Sequence, residues 1–196
     1  GTVYGWTFGK VSGKSTYCAA VWKPGSGAPQ IVSTAGAEAI GAAPGGILVR
    51  VRKTTAASAG SLVVIASDGT ATTISSGDVV GVVAVGGSAV GAVLVGDDLR
   101  PFLWSGGAQT ILTPPPVGQS AVALTRAGSA VYGYRTSLGV QYACSWDQAS
   151  GGALVDLPSP PGLALRTVAT VGAGGELAGM GNNAQGEIVA WIGVPG

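Results

Sequence analysis

Five positions set the frame for this chain: Trp22, Ile65, Trp104, Trp146 and Trp191 lie 43, 39, 42 and 45 residues apart, each at the end of a short apolar run. Self-similarity at about 40 residues marks small units that cannot bury their apolar faces alone and must stack on one another. The clearest copy runs from Gln119 to Pro161. Its apolar stretches, Ala121 to Thr125, Ala130 to Arg135, Gln141 to Trp146 and Ala153 to Leu157, are separated by glycine, serine and aspartate. Runs this short between turn-forming residues read as strands, and tight links between them make an antiparallel meander.

With the strands of a unit labelled a to d, the chain enters at strand b of the first unit, Thr2 to Thr7, followed by Tyr17 to Trp22 and Pro29 to Ser33. The second unit reads Ala37 to Ala43, Ile47 to Lys53, Ser61 to Ala66 and Thr70 to Ser75, with Asp68-Gly69 as a strong hairpin turn. The third reads Val79 to Val85, Ala89 to Val95, Arg100 to Trp104 and Gln109 to Leu112; the fifth reads Leu165 to Val171, Glu176 to Gly179 and Glu187 to Ile192. Glycine turns join a to b, whereas Pro114-Pro115-Pro116 and Ser159-Pro160-Pro161 join one unit to the next. Proline cannot donate to a ladder, so these prolines belong outside the sheets.

The expected fold is all-β: a five-unit β-propeller of four-stranded antiparallel blades, forming a single domain over 1–196. Its units span approximately 1–34, 35–76, 77–116, 117–161 and 162–196. The terminal blades are incomplete within the chain, because the first lacks strand a and the fifth lacks strand d. Such edges invite pairing with another chain, giving a closed oligomer or a head-to-tail filament.

Composition narrows the functional classes. Only 10% of residues are charged, 46% are hydrophobic and 35 are glycine. Disordered chains show the reverse balance. Ten basic against nine acidic residues leave a net charge of +1, so no overall field draws nucleic acid to the chain. Arg50, Arg52 and Lys53 are the one basic cluster, read as an exposed or acid-paired face. The uncharged run from Val79 to Gly96 is long enough to span a bilayer. Its valines and glycines, with Gly86-Gly87-Ser88 as a central turn, favour two buried strands instead, so no transmembrane segment is expected. No signal peptide precedes Gly1, as in a mature secreted chain.

The sequence offers no catalytic residues. Histidine is absent, which removes the usual general base, the commonest metal ligand and every Ser-His-Asp or Cys-His arrangement. Cys18 and Cys144 lack companions for a zinc site, and no loop carries the alternating acids of a calcium site, so neither metal nor cofactor is expected. Of the nine carboxylates, Asp97 and Asp98 sit in a b–c turn, and Asp68, Asp78, Asp147 and Asp156 fall near turns or strand ends, as aspartates do in any strand-rich chain. Tyr132 and Tyr134 read as core, and the repeat tryptophans as packed between blades. Trp6 falls off that register and reads as a surface aromatic.

At Asp98 to Leu112, DLRPFLWSGGAQTIL, the chain resembles the extracellular HAF repeat, a unit named for a His-Ala-Phe triplet followed by Leu-Trp. Matching pieces are Val131-Tyr132-Gly133 with Cys144-Ser145-Trp146, Leu177-Ala178-Gly179 with Val189-Ala190-Trp191, and Val3-Tyr4-Gly5 with Ala20-Val21-Trp22. The triplet itself is absent, with Arg100-Pro101-Phe102 or Gln141-Tyr142-Ala143 in its place. The resemblance implies a secreted or cell-surface protein and no shared catalytic residues.

The expected function is therefore a secreted or surface-displayed, non-catalytic structural or interaction module that self-associates, in its sharper form as a filament or matrix subunit. A carbohydrate-binding propeller is the alternative, with Trp6, Asp97, Asp98 and Arg100 as glycan contacts. An enzyme acting on polysaccharide is the third reading.

Overall fold

The computed structural model describes residues 1–34, 36–52, 60–148 and 152–193. They form 18 strands and no α-helix. In chain order these are β1 (Val3–Val11), β2 (Lys14–Trp22), β3 (Gln30–Ser33), β4 (Ala37–Ala43), β5 (Gly46–Val51), β6 (Ser61–Ile65), β7 (Ala71–Ser76), β8 (Val79–Val85), β9 (Ser88–Val95), β10 (Asp98–Ser105), β11 (Ala108–Ile111), β12 (Ser120–Ala127), β13 (Ala130–Ser137), β14 (Val140–Asp147), β15 (Ala153–Asp156), β16 (Leu163–Val171), β17 (Leu177–Asn183) and β18 (Ile188–Gly193). They assemble as five meanders: β1 to β3, β4 to β7, β8 to β11, β12 to β15 and β16 to β18. The first and last sheets have three strands each. Among the described residues, as the repeat pattern predicts, the first shows no a strand and the last no d strand, so that β1 and β18 stand at their edges.

Strand assignments follow the punctuation of the sequence closely in the middle three units, but β17 runs to Asn183 rather than ending at Gly179, and the first hairpin departs further. The β1–β2 hairpin is longer than the apolar runs suggest, because Phe8 to Thr16 continue the ladder to a turn at Ser12-Gly13, both at positive φ (51° and 78°). Lys10, Lys14 and Ser15 hide there what hydrophobic alternation would have shown. Lys53, the last residue of the expected second-unit b strand, lies outside the described residues.

The chain divides into two compact units, residues 1–89 with 104–109 and residues 90–103 with 110–196. In the first, Ala19, Val21, Ala37, Ala39, Val49 and Val63 form a buried cluster joined by Tyr4, Ile47 and Ile65, which packs the first sheet face to face on the second. Gly41 on β4 lets this region close up, since a β-carbon there would meet the Ala84 methyl at 2.6 Å. In the second unit, Ala143, Leu165, Val168, Leu177 and Trp191 pack the fourth sheet on the fifth.

The b-strand glycines have a structural cause. Opposite Gly133 the register of β12 slips by one residue between Ala123 and Thr125, and the Val122 carbonyl is driven to where a β-carbon would stand. Gly179 faces the Thr167 carbonyl beside a comparable slip in β16, and a β-carbon there would also meet the Trp191 indole at 3.0 Å. The Val131-Tyr132-Gly133 and Leu177-Ala178-Gly179 triplets thus mark bulge-facing positions where only glycine fits, whereas Gly5 of the first unit faces no bulge.

Candidate functional site

Among the described residues the carboxylates hold the fold. Glu38 accepts from Arg50, directly across the β4–β5 ladder, and from Arg52 at 3.2 Å. Burial pushes its pKa up, but the two guanidinium hydrogen bonds outweigh this and hold it below the ordinary glutamate value. Asp78 accepts the Gly60 amide at 3.0 Å and Asp68 accepts the Thr70 amide at 2.9 Å. Asp147 takes the Ser129 hydroxyl at 3.0 Å. Asp156 receives Arg135 through Nε at 2.7 Å and Nη2 at 2.5 Å, while Arg135 also reaches Gln119 at 3.1 Å and lies over the Tyr142 ring at 4.4 Å. That clamp ties β13, β14 and β15 to the segment leading into β12. No group of three or more Cys, Asp or Glu residues able to hold a metal ion occurs among the described residues.

The sequence-predicted contacts fall into two places. Arg100 pairs with Asp98 at 3.1 Å at the start of β10, and the Leu99 amide donates to the Ser120 hydroxyl at 3.1 Å. Asp97 is exposed in the turn before them. Trp6 belongs to another sheet and another set of neighbours: its ring meets Tyr17 edge-on at 4.9 Å and Phe8 at 5.4 Å, with Phe8 and Tyr17 4.7 Å apart. Arg52 adds a guanidinium 5.4 Å from the Tyr17 ring. Phe8 escaped the sequence reading because strand b was ended at Thr7, while Tyr17 was read only as the start of strand c and Arg52 only as part of the basic cluster; the spacing Tyr4, Trp6, Phe8 was the available signal.

Tryptophans of the repeat are less uniform than their spacing. Trp146 is fully buried and donates Nε1–H to the Thr113 carbonyl at 2.9 Å, pinning the proline-rich link ahead of β12. Trp191 is buried and donates to the Met180 carbonyl at 3.0 Å, while Trp22 is half-buried over Gly5. Tyr132 joins the second unit's core, as expected. Cys18 and Cys144 are both free and buried. Burial, and then the Asp156 charge, raise the Cys144 thiol far above its ordinary pKa, which favours its neutral, packed form.

Sheet five carries the most distinctive surface. Its β17–β18 register places Leu177, Gly179 and Trp191 on the face that packs on the fourth sheet, and Ala178, Met180, Ile188, Ala190 and Ile192 on the opposite face. On that opposite face Met180, Ile188 and Ile192 are 51%, 77% and 81% exposed. Beside the β18 edge lies an apolar groove of about 650 Å³, lined by Leu157, Pro160, Leu165, Leu177, Trp191 and Ile192 among others. An open strand edge, a bare apolar face and an adjoining groove are together what strand addition requires.

No family model and no curated protein sequence matches this chain. Among solved structures, TolB from Acinetobacter baumannii aligns over 100% of the chain with a TM-score of 0.65 at 15% identity. The chain spans half the length of that protein. TolB is a β-propeller, and the likeness is one of all-β, propeller-like fold. No helix among the described residues is long and apolar enough to cross a membrane.

Proposed function

We propose that this chain is a propeller-type interaction module, built from five blades, that works by binding rather than catalysis and associates with further copies of itself. The observation that carries this reading is the fifth sheet. Its edge strand β18 adjoins an apolar groove, and Ile188 and Ile192 stand in solvent at exposures that a monomeric surface rarely shows in one place. A strand laid along β18 would gain main-chain hydrogen bonds, and its alternate side chains would enter the groove. Sheet one, with β1 at its edge, offers the complementary opening for closed or head-to-tail association.

A secreted or cell-surface location accompanies this reading. It is supported by the HAF-type resemblance and by a charge-poor surface. The filament or matrix subunit is its sharper form. Light scattering on the purified chain, whose mass is 19.0 kDa, is the test. Assemblies that dissociate in Ile192→Asp and Ile188→Asp are expected, while a monomer at every concentration would overturn self-association.

A carbohydrate-binding role stands as the second reading. The clustering of aromatic rings about Trp6 favours it.

A further inference from the structure

The two strands of the β1–β2 hairpin are nine residues each, whereas β4, on which they pack, has seven. On the shared face Tyr4 and Val21 pair within the core, Trp6 pairs with Ala19 at its margin, and Phe8 pairs with Tyr17 beyond it. Trp6 is 42% and Phe8 62% exposed. Three touching rings on an open sheet face are therefore not core left unfinished at one residue, but a continuous platform.

Charge is distributed unevenly around that platform. Residues 1–52 hold Lys10, Lys14, Lys23, Arg50 and Arg52 against Glu38 alone, although the whole chain is nearly neutral. Glu38 is committed to Arg50 and Arg52. Lys10 is exposed on the same face as Phe8 and Tyr17, Lys14 is exposed at the hairpin end on the other face, and Arg52 stands over Tyr17.

We infer that the hairpin is a binding site for an acidic polysaccharide built from uronic acid residues. A pyranose ring has an apolar C–H face whose hydrogens are drawn to the negative face of an aromatic ring, and a uronate adds a carboxylate at the ring's edge. Trp6, Phe8 and Tyr17 supply the ring faces; Lys10 and Arg52 supply cations at the rim. A neutral glycan would use only the first set. A lipid surface fits less well, since Ser12, Gly13 and both lysines form the hairpin tip and the rings lie on the sheet face behind it, so insertion would have to bury the charges first. Asp97, Asp98 and Arg100 take no part in this site, and the inference stands whether or not the chain self-associates.

Calorimetric titration of the full chain with polygalacturonate tests it, alongside neutral pullulan, dextran sulfate and vesicles rich in phosphatidylglycerol. Polygalacturonate is expected to bind and pullulan not. Phe8→Ala, at a solvent-facing position, should weaken binding about tenfold, the equivalent of losing one well-packed ring contact. Lys10→Gln should weaken it and flatten its salt dependence, more than Lys14→Gln on the opposite face does. Circular dichroism checks that the variants keep the strand signal, and Tyr17→Ala gives a second ring deletion should Phe8→Ala fail to fold. Affinity that survives both ring deletions means simple ion exchange and overturns the inference. Tighter binding to dextran sulfate or to vesicles than to polygalacturonate overturns it too, as does no polymer binding.

Discussion

A single β-carbon decides several positions in this chain. Gly133 sits against the Val122 carbonyl at a bulge, so Gly133→Ala must push two strands apart. Chemical denaturation should show a loss of about 3 kcal/mol, at the upper end for overpacking; a loss below about 1 kcal/mol would mean the bulge relaxes freely. Leu138 presents the converse. It is wholly exposed, yet its φ is 49°, in the left-handed region that costs a branched side chain about 1 kcal/mol. Leu138→Asn should therefore stabilise by roughly that amount, read as a rise in the denaturation midpoint. The glycine triplets were legible as a repeat motif, but their reason was not. The bulges in β12 and β16 leave their trace as Gly133 and Gly179 on the strands that face them, while the one in β4 faces Val49 and Leu48 and leaves none there.

At the scale of elements, strands bounded by glycine and proline could be read almost to the residue: Ala37–Ala43 and Val79–Val85 match the structure at both ends. What failed was the first hairpin, where lysine and serine interrupt the apolar alternation while the ladder continues. The aromatic platform was lost with it. Ion pairs across strands were half visible. Arg50 and Arg52 were expected to be exposed or acid-paired, and Glu38 on the next strand is the acid. Because Glu38 titrates below its ordinary value of 4.5 when folded, its pairing contributes stability above that pH and loses it as pH falls through the lowered value. Glu38→Gln should consequently lower stability at pH 7 and lessen its decline between pH 5 and pH 3. Denaturant titrations of both proteins at the two ends of that range check this. An unchanged acid limb would remove Glu38 from the account.

Across the whole molecule, the recurrence of tryptophan near every fortieth residue foretold five meanders and the shortage of one strand in the first and the last. It could not show which faces remain bare, because an exposed isoleucine and a buried one look alike in sequence. Ile188 and Ile192 alternate with Trp191 on β18, and only the register across to β17 separates the packed face from the open one. The central claim is that β18 is an edge awaiting a partner strand. Residue-resolved hydrogen exchange tests it directly, compared between dilute and concentrated protein. The account predicts that amides of β17, bonded on both sides, are protected throughout, while those β18 amides that point away from β17 exchange fast when dilute and become protected on concentration. Exchange of those β18 amides that does not change with concentration would contradict it.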